Sequence, residues 1–133
     1  MPPLARLLLS TLLLTSPAVH AANWSGVWME SEAQELVAKG QLFPILLTPE
    51  EFGGQDSTYN TIYVPAGIAQ QQREVTQLLL GGVIQGNLDQ VRFETQRAGA
   101  SIVPVNIVIR AWRAGPPGKR FEYVRTIRVW QPD

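Results

Sequence analysis

Arg92, Arg110 and Arg128 fall in three successive segments whose side chains alternate, so one sheet face would collect them with Trp112, Asn106 and Thr126. A guanidinium grips carboxylate or phosphate through two parallel hydrogen bonds, and it stacks on an indole ring. The chemistry implied is recognition of an anionic or aromatic group rather than bond making. Arg125 falls on the opposite row. Pairing Val105 with Ile127 and Ile109 with Tyr123 sets it opposite Ile107, among apolar residues. A guanidinium buried there needs a carboxylate or several carbonyls around it, and Glu50, Glu51 or Glu74 could serve. The alternative is a wet pocket with Arg125 at its base. Arg92, Arg110, Trp112, Arg125 and Arg128 are therefore the candidate ligand- or partner-binding residues, against the rival reading of an ordinary exposed sheet face.

Catalytic groups are scarce. The chain has no cysteine, and its one histidine is His20. If residues 1–21 are removed, the remainder holds no imidazole and no thiol. Ser-His-Asp and Cys-His arrangements, His-ligated zinc and histidine acid–base catalysis are then excluded. Carboxylates remain: Glu50, Glu51 and Asp56 lie in the stretch TPEEFGGQDS, with Asp89 further on. Convergence of these in one cleft would be needed for a carboxylate- or metal-dependent hydrolase. Solvated turn residues are the simpler account. No phosphate-binding or calcium-loop motif occurs, and GGVIQG (81–86) has neither glycine spacing that cradles phosphate. No cofactor is expected.

The amino terminus sets an expectation for location. Arg6 precedes the apolar LLLSTLLL (7–14), and Val19-His20-Ala21 places small residues at the cleavage positions. This is the pattern of a secretory signal peptide (1–21), with export to the periplasm or beyond. The apolar run is shorter than the roughly 20 residues a spanning helix requires. About 112 residues (22–133) follow, enough for one domain.

Charge is zero overall and unevenly placed. Residues 23–90 carry eight acids against Lys39 and Arg73, whereas residues 91–133 carry eight bases against Glu94, Glu122 and Asp133. Either the two halves pack together and neutralise one another, or a basic sheet face is offered to an acidic partner. Export and the zero total disfavour nucleic acid.

The elements that must position these residues are legible in outline. LDQVRFETQR, IVPVNIVIRAWR and RFEYVRTIRVW alternate apolar and polar positions across linkers short enough only for antiparallel hairpins. They predict a three-strand meander over about 88–130, with Pro104 outside the paired part of its strand or at a bulge. Residues 67–83 predict the main helix, with Ile68, Val75, Leu78, Leu79 and Val83 on its apolar face. Gly81 and Gly82 weaken its last turns, and the rival reading breaks it at Leu80 with GVIQG as a turn or short strand. Ser31 is expected to cap a short helix over Glu32–Lys39, closed by Gly40. Residues 23–29 are expected as an edge strand, 42–47 as an edge strand or an extended crossing segment, and 59–64 as a further strand.

The fold expected is an α+β sandwich with the main helix across the meander. The alternative is a small mainly-β barrel. Gly26-Val27-Trp28 resembles the Gly-x-Trp of lipocalin-like barrels, and that resemblance implies such a barrel. Three functional readings follow. The preferred one is an exported, non-catalytic binding domain whose basic face meets an acidic protein, peptide or anionic envelope component. The second is a small-molecule carrier with an apolar pocket between helix and sheet, lined by aromatics such as Trp24, Trp28, Phe43 and Tyr63. The third is the carboxylate- or metal-dependent hydrolase.

Overall fold

A computed structural model describes residues 23–115 and 122–132. The proposed signal peptide, Lys119, Arg120, Phe121 and most of the Gly-Pro-Pro-Gly linker lie outside the described residues. The order is α1 (Glu30–Ala38), β1 (Phe43–Leu46), β2 (Thr61–Val64), α2 (Ile68–Ile84), β3 (Gln90–Gln96), β4 (Asn106–Trp112) and β5 (Glu122–Arg128). Single 3₁₀ turns at Glu50–Phe52 and Thr58–Asn60 fill the β1–β2 connection. This is an α+β fold with two antiparallel sheets, β1-β2 and β3-β4-β5. Neither closes into a barrel, so the barrel alternative is overturned.

Both helices end by the same local device. Gly40 (φ 74°) follows α1 and Gly86 (φ 79°) follows α2. After α1 the Gly40 and Gln41 amides donate to the carbonyls of Val37 and Leu36. After α2 the Gly86 and Asn87 amides donate to Val83 and Gly82. These are Schellman closures, and the left-handed backbone they need is open to glycine at no steric cost. At its start α1 departs from expectation. It begins at Glu30 behind Met29, no side chain caps it, and Ser31 lies inside its first turn.

The face that α2 buries also differs. Its buried residues are Ile68, Gln72, Val75, Thr76 and Leu79, whereas Leu78 is 57% exposed and Val83 also faces solvent. The stripe runs at steps of four, three and four, and continues onto Gly82, where Leu88 packs. Gln72 sits on it because its amide has partners. Gln72 Nε2 donates to the carbonyls of Leu46 (2.9 Å) and Leu47 (2.8 Å), tying α2 to the end of β1. A buried amide so satisfied does not incur the cost of an unpaired polar group.

The meander strands pair in the expected order. β4 lies in the middle, with Arg92 opposite Arg110 and Phe93 opposite Ile109. Its second strand starts at Asn106 rather than Ile102. Pro104 has no N–H to donate, and ladder bonding resumes only at Val105, which donates to Gln96 and accepts from Val129. The β4–β5 register is two residues from the expected one: Ile107 faces Ile127, and Ile109 faces Arg125. A two-residue slip preserves the faces, so the row assignments of the paired residues survive.

One core cluster draws on both sheets and both helices, including Trp24, Ala33, Leu42, Val64, Val75, Leu79, Phe93, Ile107, Ile109 and Ile127. Phe52, in the loop after β1, packs its ring 5.9 Å from that of Phe93. Residues 24–29 form no strand. They turn, with the Val27 amide on the Trp24 carbonyl, and dock on the segment before β4: Ile102 N donates to Val27 O, and Ser101 Oγ to Trp24 O (2.7 Å). Ser101 Oγ also accepts from Val103 N, and Trp130 Nε1 donates to Val103 O. This small buried network fixes the amino-terminal segment, the entry to β4 and the end of the described chain against one another.

Candidate functional site

The sheet's inner row is apolar: Phe93, Ile107, Ile109, Ala111 and Ile127 are all buried. Its outer row carries Arg92 and Glu94 on β3, Asn106, Val108, Arg110 and Trp112 on β4, and Glu122, Val124, Thr126 and Arg128 on β5. Four of the five candidate residues therefore share one face. Arg92, Arg110 and Arg128 are exposed there, and Trp112 is half-buried. Val108 is the one buried member of that row; it stands in the central strand between Glu94 and Thr126.

Arg92 and Arg110 face each other directly across β3 and β4. Like charges so placed are destabilising. Arg92 is partly compensated: its guanidinium lies 6.0 Å from the Trp112 ring centroid, and its Nη1 is 3.4 Å from Glu94 Oε1. Both members of that ion pair are well exposed, so it adds little. Arg110 has no ion-pair or hydrogen-bond partner among the described residues. Arg128 pairs with Asn106 across the ladder and donates to Gln131 Oε1 at 2.5 Å. Asn106 Nδ2 donates to Gln96 Oε1, while Asn106 Oδ1 is buried without a hydrogen-bond partner.

Arg125 does not belong to this face. It is on the apolar row opposite Ile109, but β5 is the outer strand of the sheet, and the side chain is exposed. The expectation of a buried guanidinium with a carboxylate around it is overturned, because a long side chain at a sheet margin can carry its charge to water. An inward-pointing charge on an outer strand also discourages pairing with another chain.

No ion pair among the described residues joins the acidic half to the basic meander. Among the described residues the one ion pair is Arg92–Glu94, inside the sheet itself. Asp89 instead accepts the Ala114 amide at 2.8 Å, bracing the ends of β3 and β4. Glu50 and Asp56 line an open groove of about 320 Å³ beside Pro44, Ile45, Leu46 and Thr61, without Glu51 or Asp89. No group of three or more potential metal ligands occurs among the described residues.

The aromatics named for a carrier pocket also separate. Trp24 and Tyr63 are core residues, whereas Trp28 and Phe43 are exposed. Tyr63 has a perturbed ionisation. Burial raises its phenol above the ordinary value. A nearby Gln34 hydrogen bond opposes this, and Glu30, which accepts the hydroxyl's hydrogen bond at 3.0 Å, adds to it. No helix among the described residues is long and apolar enough to cross a membrane. Comparison with protein-family models, curated proteins and solved structures finds no match to this chain.

Proposed function

We propose that this protein is an exported, non-catalytic binding domain that presents the outer face of its meander to an acidic protein, peptide or anionic envelope component. The observation that carries this reading is the Arg92–Arg110 pair, two guanidiniums set opposite each other on an exposed sheet face with Arg128 on the same row. An arrangement that costs stability in the free protein becomes favourable when a carboxylate or phosphate lies between the two cations. The unpartnered Asn106 Oδ1 on the same row is a second local cost. Trp112 supplies a flat apolar surface beside Arg92. Glu94 and Glu122 temper the charge of the row, which favours a partner with discrete acidic groups over a uniform polyanion. Export rests on the Arg6–Ala21 pattern.

The test is binding of a fluorescent oligoglutamate peptide and, separately, of phosphatidylglycerol vesicles, each across a salt series. The protein is compared with an Arg92→Gln/Arg110→Gln/Arg128→Gln variant of unchanged circular dichroism. Peptide binding that weakens with salt and is lost in the variant supports an acidic protein partner. The same behaviour with vesicles alone supports a lipid surface. Equal binding by protein and variant, or none to either probe, removes this face from the argument.

A further inference from the structure

The C-terminal turns of α2 and the first residues of β5 bound an open groove of about 250 Å³. Leu78 and Tyr123 give it apolar surface over the buried Leu79 and Leu88, and Gln85 and Asn87 contribute amides; none of the described lining residues is charged. Tyr123 is on the inner row of β5, so the groove is separate from the arginine face. Its volume lies just below the roughly 300–1,000 Å³ usual for small-molecule sites.

Gly81 is the telling residue. Its backbone is not in the left-handed region, and a Cβ built on it would meet nothing within 4 Å. Neither conformation nor internal packing therefore calls for glycine, which costs about 1 kcal/mol relative to alanine inside a helix. Gly82 differs: a Cβ there would come within 2.6 Å of Leu88 Cδ1, so packing accounts for it. What the missing side chain at Gly81 does is leave the groove open. The same turns keep Val83 39% and Ile84 84% exposed, in a helix end (78–84) that carries no polar side chain.

We propose that this groove is a binding site for an uncharged, largely apolar small molecule bearing a hydrogen-bonding group for the Gln85 and Asn87 amides. The neutral lining among the described residues argues against an ionic ligand, since none of them would compensate a desolvated charge. The apolar surface and the unfilled space at Gly81 argue for an apolar body. This site stands whether or not the arginine face binds anything.

The experiment titrates the purified protein with the neutral fluorophore N-phenyl-1-naphthylamine, beside Gly81→Phe and the triple arginine variant. The expected result is saturable one-site binding to the unmodified protein, unchanged in the arginine variant and weakened at least tenfold by Gly81→Phe. Amide shifts in a two-dimensional NMR spectrum of the unmodified protein should centre on Gly81, Gly82 and Tyr123, a readout that survives even if Gly81→Phe fails to fold. Absence of saturable binding, equal binding by folded Gly81→Phe, or shifts centred elsewhere would overturn the proposal. So would a dimer dispersed by Gly81→Phe, which would assign the groove to a second copy of the chain.

Discussion

Arg110 stands between Arg92 on one side and Val124 on the other, with no compensating group of its own among the described residues. Replacing it should therefore stabilise the protein while weakening any anion binding. Arg110→Thr is expected to raise the unfolding free energy by about 0.2–1 kcal/mol, since it removes a like-charge pair and introduces a good strand former. Urea denaturation at low salt reads this, and a loss of stability would mean that Arg110 has a structural partner. Tyr63 gives a second single-residue effect, on the pH dependence of stability. Its folded-state value is raised, so its contribution to stability is complete below the unfolded value of about 10 and fades as pH rises through the folded one. The stability of the wild type should thus fall relative to Tyr63→Phe in that alkaline range, measured by denaturation between pH 8 and 11.5. A difference independent of pH would reject the account. Single residues were only partly legible. The shared row of Arg92, Arg110, Trp112 and Arg128 follows from strand period alone. Gln72 was not legible, because which of Gln70, Gln71 and Gln72 turns inward depends on how the helix is rotated against β1.

The end of α2 shows what an element can and cannot reveal about itself. Its bounds were legible except at the last turn, where Gly81 and Gly82 also allow a break at Leu80; Gly86 is a local stop signal read without any neighbour. Its buried face was not, because Leu78 and Leu79 are adjacent and both apolar, and periodicity cannot choose between stripes through one or the other. Contact with Leu88 chooses. A pair of substitutions tests this. Gly81→Ala should stabilise the helix by up to about 1 kcal/mol, having open space for its methyl. Gly82→Ala must displace the buried Leu88, and overpacking of about 1–3 kcal/mol should outweigh the helix gain. Thermal denaturation midpoints moving in opposite directions are the expected outcome. Equal shifts would place Leu88 elsewhere.

At the scale of the whole molecule, one core without a disulfide must hold together two small sheets and two helices. Domains of this size retain about 5–15 kcal/mol in total, so the central strand should tolerate little. Ile107 is fully buried between β3 and β5, and Ile107→Ala is expected to cost about 2–5 kcal/mol. Val124, on the outer row, is half-exposed, and Val124→Ala should change stability by no more than about 0.5 kcal/mol. Urea midpoints of the two variants check the assignment of faces, and a similar cost at both positions would mean that the outer row is covered.

The amino-acid sequence by itself determined the features set by short-range physics. Alternation marked the meander and its faces, glycines in left-handed turns ended both helices, and Pro44 kept its strand at a sheet margin. Tertiary structure alone decided what depends on which surfaces meet. It set the β4–β5 register, drew residues 24–29 into a turn held by Ser101, and carried Arg125 out to solvent. It also left Arg110 without an ion-pair partner among the described residues and kept open the space beside Gly81. Such contacts join residues distant in the chain, and their free energy depends on the shape and dielectric of the assembled core, which no local window of sequence contains.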